Sequence, residues 1–190
     1  MRRMSTITIG NLPRLSSKAL SDILLSHASS NLDASSKPEN LAIIDVRDDD
    51  HIGGHIKHST HVPSSTLDYK IPELVRKLRD KDTVVFHCAL SQQRGPSAAL
   101  RYIRERERIM GAGAGAGMSA GSVGEAMKKN REAVENKADD GEWEDVEEAS
   151  EKKEQKVYVL DQGFVGWQEI YGEDSRLTEG YRKEIWENGF

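Results

Sequence analysis

The sequence predicts an α/β fold built on a parallel sheet, and three observations predict it. "LAIIDVRDDD" (Leu41–Asp50), "TVVFHC" (Thr83–Cys88) and "VYVLDQGF" (Val157–Phe164) each begin as a short apolar run that leaves into a polar loop or turn. The runs are continuous rather than alternating, as expected for strands covered on both faces. Segments of helical periodicity lie between and around them, and strands alternating with helices imply parallel pairing.

The elements follow in chain order. "RLSSKALSDILLSHAS" places Leu20, Ile23, Leu24 and His27 on one helical stripe, with serines ahead of it as a cap. After the first strand, "STLDYKIPELVRKLRDKD" sets Leu67, Ile71, Leu74, Val75 and Leu78 at helical spacing. Ser65 or Thr66 is placed to cap that helix, and Pro72 fits a first turn if the helix starts late. The strand ending at Cys88 comes next, and a helix opens at Gly95-Pro96. "VYVLDQGF" supplies the third strand, and "GWQEIYGED" and "LTEGYRKEIWENGF" are expected to be two closing helices.

Composition sets the class. The 190 residues are expected to form one domain, residues 1–190, with room for a core. Apolar residues make up 36% and charged residues 31%, which is polar for a compact domain, so part of the chain is expected to stay unpacked. That part is an insertion at about 108–155, where "GAGAGAGMSAGSVG" offers little side chain to pack and a dense acid–base mixture follows. A functional lid carrying Trp143 is the alternative, but long insertions cost little, which favours the plain reading. No apolar run approaches the length of a membrane span, and no secretory signal is expected at the start. The formal net charge of -5 argues against general nucleic-acid binding but not against a local anion site. A single cysteine, Cys88, excludes an internal disulfide and points to a reducing compartment, cytoplasm or nucleus.

That cysteine sits in "VVFHCALSQQRGPSAAL". A strand end puts Cys88 at the carboxyl edge of a parallel sheet, where α/β proteins bind ligands. Ala89, Leu90, Ser91, Gln92 and Gln93 must turn back toward the helix opening at Gly95-Pro96. Such a loop aims backbone N–H groups inward at a helix N-terminus and forms an anion nest. The same field favours a thiolate over a thiol. Arg94 adds a planar charged fork suited to a tetrahedral oxyanion. A buried structural cysteine is the plain alternative; the strand before, the helix start after and His87 directly ahead favour a catalytic one.

"FHCALSQQRGPSAA" resembles the active-site signature of the rhodanese-like phosphatases: His-Cys, five residues, Arg-Gly-Pro. The resemblance extends to the small phosphatases similar to the M-phase inducer phosphatases and to the eukaryotic arsenate reductases. "IIDVRDDDHIGGHIKHSTHVPSSTL" resembles the upstream Asp-x-Arg and Gly-His-Ile elements, and "VYVLDQGFVGWQEIY" the closing element. It covers roughly residues 5–105 and 157–190. It implies a three-layer fold, with a central five-stranded parallel sheet flanked by helices. It also implies Cys88 and Arg94 as catalytic, the loop from Ala89 to Arg94 as the oxyanion cradle, and His87, Asp45 and Arg47 as supporting residues. Three departures matter. Gln162 replaces a family glycine, which suggests a different turn. Val46 stands where the M-phase inducer phosphatases carry a protective cysteine, so Cys88 has no disulfide partner and is open to further oxidation. Gln93 stands where they carry a glutamate. Plant relatives bind zinc through C-terminal cysteines, which are absent here.

The resemblance also ranks the chemistries. Sulfurtransferases of this fold usually have four residues between cysteine and arginine; five make a wider cradle used for phosphate or arsenate. A protein tyrosine or dual-specificity phosphatase is the leading reading. Arsenate reduction with glutathione or glutaredoxin is second, and sulfur transfer or a non-catalytic phosphate-binding module third. For phosphate, Cys88 attacks phosphorus, and Ser91 hydrogen-bonds the thiolate or assists its departure; Asp48, Asp49 or Asp50 could supply the proton, and an acid from the substrate, or none, is an equal alternative. The expected substrate is a phosphoprotein or a small oxyanion, with no nucleic acid, no membrane, no cofactor and a monomeric chain. His51, His55, His58 and His61 could suggest a metal site, but no completing ligand set is present and none is expected. Arg101, Arg104, Arg106 and Arg108 alternate with glutamates as a solvated helix face, a basic rim for a phosphoprotein being the alternative.

Overall fold

The computed structural model describes residues 7–30, 37–111 and 154–187. Its elements are β1 (Arg14–Leu15), α1 (Ser17–Ser30), β2 (Leu41–Asp45), β3 (His55–Ile56), β4 (Thr60–His61), α2 (Leu67–Lys77), β5 (Thr83–His87), α3 (Arg94–Gly111), β6 (Lys156–Leu160), α4 (Gly163–Tyr171), β7 (Thr178–Glu179) and α5 (Lys183–Glu187). Five strands form one parallel sheet in the order β1-β6-β5-β2-β4. The three apolar runs are its three central strands. β3 and β7 make a separate antiparallel pair.

Alternation along the central strands divides the core. Ala42, Ile44, Val84 and Phe86 face one side, with Leu67, Ile71, Leu74 and Val75 of α2 and Ala98, Ala99 and Tyr102 of α3. Leu41, Ile43 and Val85 face the other, with Leu20 and Leu24 of α1 and Phe164 and Trp167 of α4. This is the expected three-layer arrangement, an α/β fold with helices on both faces of the sheet. Each large apolar side chain buried this way contributes about 1.5–3 kcal/mol.

Several local expectations are revised. On α1, Ser16 Oγ accepts the Ala19 N–H at 3.2 Å, so a serine does cap the helix. Ile23 is exposed while Ser21 is buried, because Ser21 Oγ bonds Lys18 O and the Tyr171 hydroxyl. α2 starts early, since Leu67 must share the buried stripe with Ile71 and Leu74. Pro72 therefore sits inside the helix, not in its first turn. Neither Ser65 nor Thr66 caps it by side chain; a 3-10 turn over Ser64–Thr66 leads in, and the Thr66 hydroxyl donates to Pro63 O. Of the insertion expected at about 108–155, only the two ends fall among the described residues. α3 runs on to Gly111, and Gln155 is buried, its Nε2 donating to Leu78 O and Lys81 O while its Oε1 accepts the Tyr102 hydroxyl. The rest of the insertion, with Trp143, lies outside the described residues.

Candidate active site

β2 and β5 lie side by side, with Asp45 paired to His87 in register at their carboxyl ends. Cys88 is the next residue and is only 3% exposed. The chain turns through Ala89 to Gln93 and enters α3 at Arg94. Ser91 makes that turn in the left-handed region, at φ 51°. Its backbone N–H donates to Cys88 Sγ at 3.2 Å, and its hydroxyl accepts the Cys88 N–H at 3.5 Å. The expected hydrogen bond from Ser91 to the sulfur therefore comes from the amide, not the hydroxyl. Leu90, Gln92 and Gln93 are exposed along the rim. A shallow depression of about 230 Å³ opens beside Arg94, lined by Ser64, Leu67, Gln93, Arg94, Ser97 and Arg101.

The loop is held from behind. The N–H groups of Phe164 and Val165, at the start of α4, donate to the carbonyls of Cys88 and Ala89 at 2.9 Å each. Those carbonyls therefore face α4. Gly163 must be glycine: its φ is +57°, and a Cβ would lie 2.5 Å from Cys88 O. The residue before it, Gln162, is itself left-handed at φ 58°. The turn is thus one a glycine would make, and glutamine makes it at a cost of about 1 kcal/mol. Its side chain covers the small surface of Gly166. Arg14, from the edge strand, reaches Ser91 O at 3.4 Å.

Arg94 does not point freely into solvent. Its NH1 donates to Asp48 Oδ2 at 3.1 Å and to Asp50 Oδ1 at 2.6 Å, and its NH2 to Asp50 Oδ2 at 2.5 Å. Asp48 also accepts the Ser64 hydroxyl and the Ser65 N–H. Partial burial opposes ionisation of Asp48, but these hydrogen bonds and Arg94 outweigh it and bring its carboxyl down to about 2. The Arg94 hydrogen bond likewise holds Asp50 below the usual carboxylate range. Both carboxyls are thus held toward the ionised form by Arg94 and the α2 entry, and Asp49 is exposed.

Asp45 and Arg47 form a fully buried pair. Arg47 Nε and NH2 both donate to the Asp45 carboxylate, and the Arg47 N–H adds a third donor. Burial works against the Asp45 charge, yet the Arg47 guanidinium and its hydrogen bonds hold the carboxyl below its ordinary value. Arg47 then fans outward: NH1 reaches Ile52 O, NH2 reaches Gly54 O, and its guanidinium lies 4.2 Å from the Phe164 ring centre. The loop carrying Asp48 and Asp50 is therefore ordered by Arg47. His87 is fully buried, and neither ring nitrogen has a hydrogen-bond partner among the described residues. Burial pushes its pKa down, so the ring is neutral. It packs behind the loop beside the Phe164 ring, 6.5 Å between centroids.

The histidines of the upstream loop do different jobs. His51 and His61 stack at 3.8 Å between centroids, His61 Nε2 meets Arg47 O at 2.7 Å, and His55 meets Glu179 at 3.2 Å. Among the described residues, no group of three or more His, Cys, Asp or Glu could hold a metal ion. On α3, Arg101 pairs with Asp68 at an exposed site, and Arg108 pairs with the half-buried Glu105. The sequence reading did not anticipate the Arg94 carboxylates as partners, nor Arg14, Gly163 and Gln155. Only Gly163 carried a signal, in its place just after the third strand.

With the geometry in place, comparison with known proteins is direct. The rhodanese-like domain model matches residues 28–170. The chain belongs to the rhodanese-like domain family. It is 51% identical over 76 residues to the dual specificity phosphatase Cdc25 of Arabidopsis thaliana, covering 38% of this chain and 52% of that one. It is 45% identical over 64 residues to arsenate reductase 2.2 of rice, covering 33% and 49%. The match thus spans about half the length of these two relatives. A solved structure of Ygr203w, a yeast protein tyrosine phosphatase of the rhodanese family, aligns over 95% of this chain and 99% of that one, with a TM-score of 0.56 and 27% identity.

Proposed function

We propose that this chain is a cysteine-dependent protein tyrosine or dual-specificity phosphatase. The observation that carries the reading is the loop itself: the Ser91 amide donates to Cys88 Sγ, and Arg94 follows five residues after that cysteine. Cys88 attacks phosphorus in line, the ester P–O bond breaks, and a cysteinyl-phosphate forms. Loop amides and the Arg94 guanidinium hold the equatorial oxygens. Water then attacks phosphorus, releasing inorganic phosphate and the thiolate. With Asp48 and Asp50 ionised, the leaving oxygen takes its proton from solvent or from the substrate. Substrates with acidic leaving groups, aryl esters above all, are therefore turned over fastest. The reaction needs no metal or cofactor, and a monomer in the cytoplasm or nucleus suits a thiol without a disulfide partner.

Arsenate reduction is the second reading, favoured by the rice relative. Cys88 would attack arsenic, displacing an oxygen as water. Two external thiols such as glutathione would then supply two electrons, leaving As(III) and a disulfide. One paired assay separates the readings: hydrolysis of an aryl phosphate, and arsenate reduction with glutathione and glutaredoxin. Phosphate hydrolysis exceeding arsenate turnover supports the first; the reverse ranking overturns it.

A further inference from the structure

A guanidinium has five N–H donors. On Arg94 three are taken by carboxylates: both NH1 hydrogens, by Asp48 and Asp50, and one NH2 hydrogen, by Asp50. The Nε hydrogen and the second NH2 hydrogen take no partner among the described residues. They lie together on the other edge of the plane, and that edge is a complete bidentate fork of the kind that fits an oxyanion.

Both carboxylates are fixed in place. Asp48 is tied by the Ser64 hydroxyl and the Ser65 N–H to the entry of α2. Asp50 Oδ1 accepts the Asp48 N–H at 2.9 Å. Their loop is pinned further along, by Arg47 at Ile52 O and Gly54 O and by the Trp186 indole N–H at Gly53 O. A carboxylate that simply competed with substrate for Arg94 would need to swing away, and this loop is tied at several points against that.

We propose that Asp48 and Asp50 are positioning residues that brace Arg94 by its NH1 side, so that its Nε–NH2 edge is presented ready-made to a tetrahedral oxyanion at the Cys88 loop. This rests on the oxyanion reading above. The brace acts through orientation, so it matters most in the transition state, where equatorial charge is greatest. It also adds two negative charges near the anion, so ground-state affinity is not where its benefit appears.

The test uses the full chain, tungstate as the oxyanion probe, and the NMR signal of Arg94 Nε–H, assigned by its loss in Arg94→Lys. In wild type that signal moves when tungstate is added, while the Arg94 NH1 and NH2 hydrogens held by Asp48 and Asp50 exchange slowly with water. Asp50→Asn should speed the exchange by about tenfold or more, since the bracing partner is lost. Tungstate affinity in Asp50→Asn should stay within about threefold or tighten, and kcat should fall about tenfold without a rise in KM. In an Arg94→Lys background the same substitution should change kcat by less than about twofold. Unchanged exchange and kcat in Asp50→Asn overturn the brace. So does weakened tungstate binding together with a lowered Tm, which marks a collapsed loop. If tungstate fails to bind wild type at all, the oxyanion reading fails, and the brace stands or falls on the exchange rate alone.

Discussion

The N–H of Phe164 donates to the carbonyl of Cys88 at 2.9 Å, so the start of α4 holds the back of the cysteine loop. That contact depends on Gly163, whose left-handed backbone lets the two segments touch. Gly163→Ala should cost about 2 kcal/mol or more in stability, through strain and the clash with the loop carbonyls. A fall in Tm of about 6 °C would accompany it. Thermal unfolding checks this, and an unchanged Tm would show that the loop carbonyls do not need α4 so close.

Gln162 carries the opposite expectation. It occupies a left-handed conformation that glycine adopts without penalty. Gln162→Gly should stabilise the fold by up to about 1 kcal/mol, less whatever packing over Gly166 is lost. Urea unfolding measures the gain. A clear loss would mean that the glutamine side chain contributes more than its backbone costs.

Gln155 joins three groups that are far apart in sequence: the Tyr102 hydroxyl and the carbonyls of Leu78 and Lys81. Removing its side chain leaves buried polar atoms unpaired. Gln155→Ala should cost about 2 kcal/mol. Stability within a few tenths of wild type would show that water replaces the amide without loss.

Acid should unfold this protein partly through Asp45. Its carboxyl lies at about 2 in the fold, against an ordinary 3.8. A depressed carboxyl contributes stability that is full above the unfolded value and is lost as pH falls through the folded one. Stability should therefore decline as pH falls from about 4 toward 2. Asp45→Asn should flatten that part of the profile from a lower starting point, because Arg47 is left buried without its partner. Urea unfolding across pH gives the slope, and a wild-type profile flat over that window would contradict the assignment.

The central strands and the loop were legible for different reasons. β2, β5 and β6 are covered on both faces, so their apolar runs are continuous and stand out from the polar loops around them. The cysteine loop was legible because its chemistry is local, seven residues that must sit together. β1, β4 and the β3–β7 pair have two residues each and exist only because neighbours pair with them, so no run announces them. The carboxylates on Arg94 lie 44 and 46 positions away. They were noticed as acids near a strand end, but only the fold shows them facing a guanidinium. Gln155 was assigned to the insertion because its neighbours are polar; its burial comes from hydrogen bonds to α3 and to the loop after α2 that no local pattern encodes.

The most direct test of the central claim is to trap the intermediate. The full chain is mixed rapidly with an aryl phosphate, quenched in denaturant during turnover, and its mass measured intact and after digestion. The account predicts one phosphoryl group per chain, located on Cys88 and absent from Cys88→Ser. Turnover with no covalent phosphate, or an adduct that survives in Cys88→Ser, would contradict it.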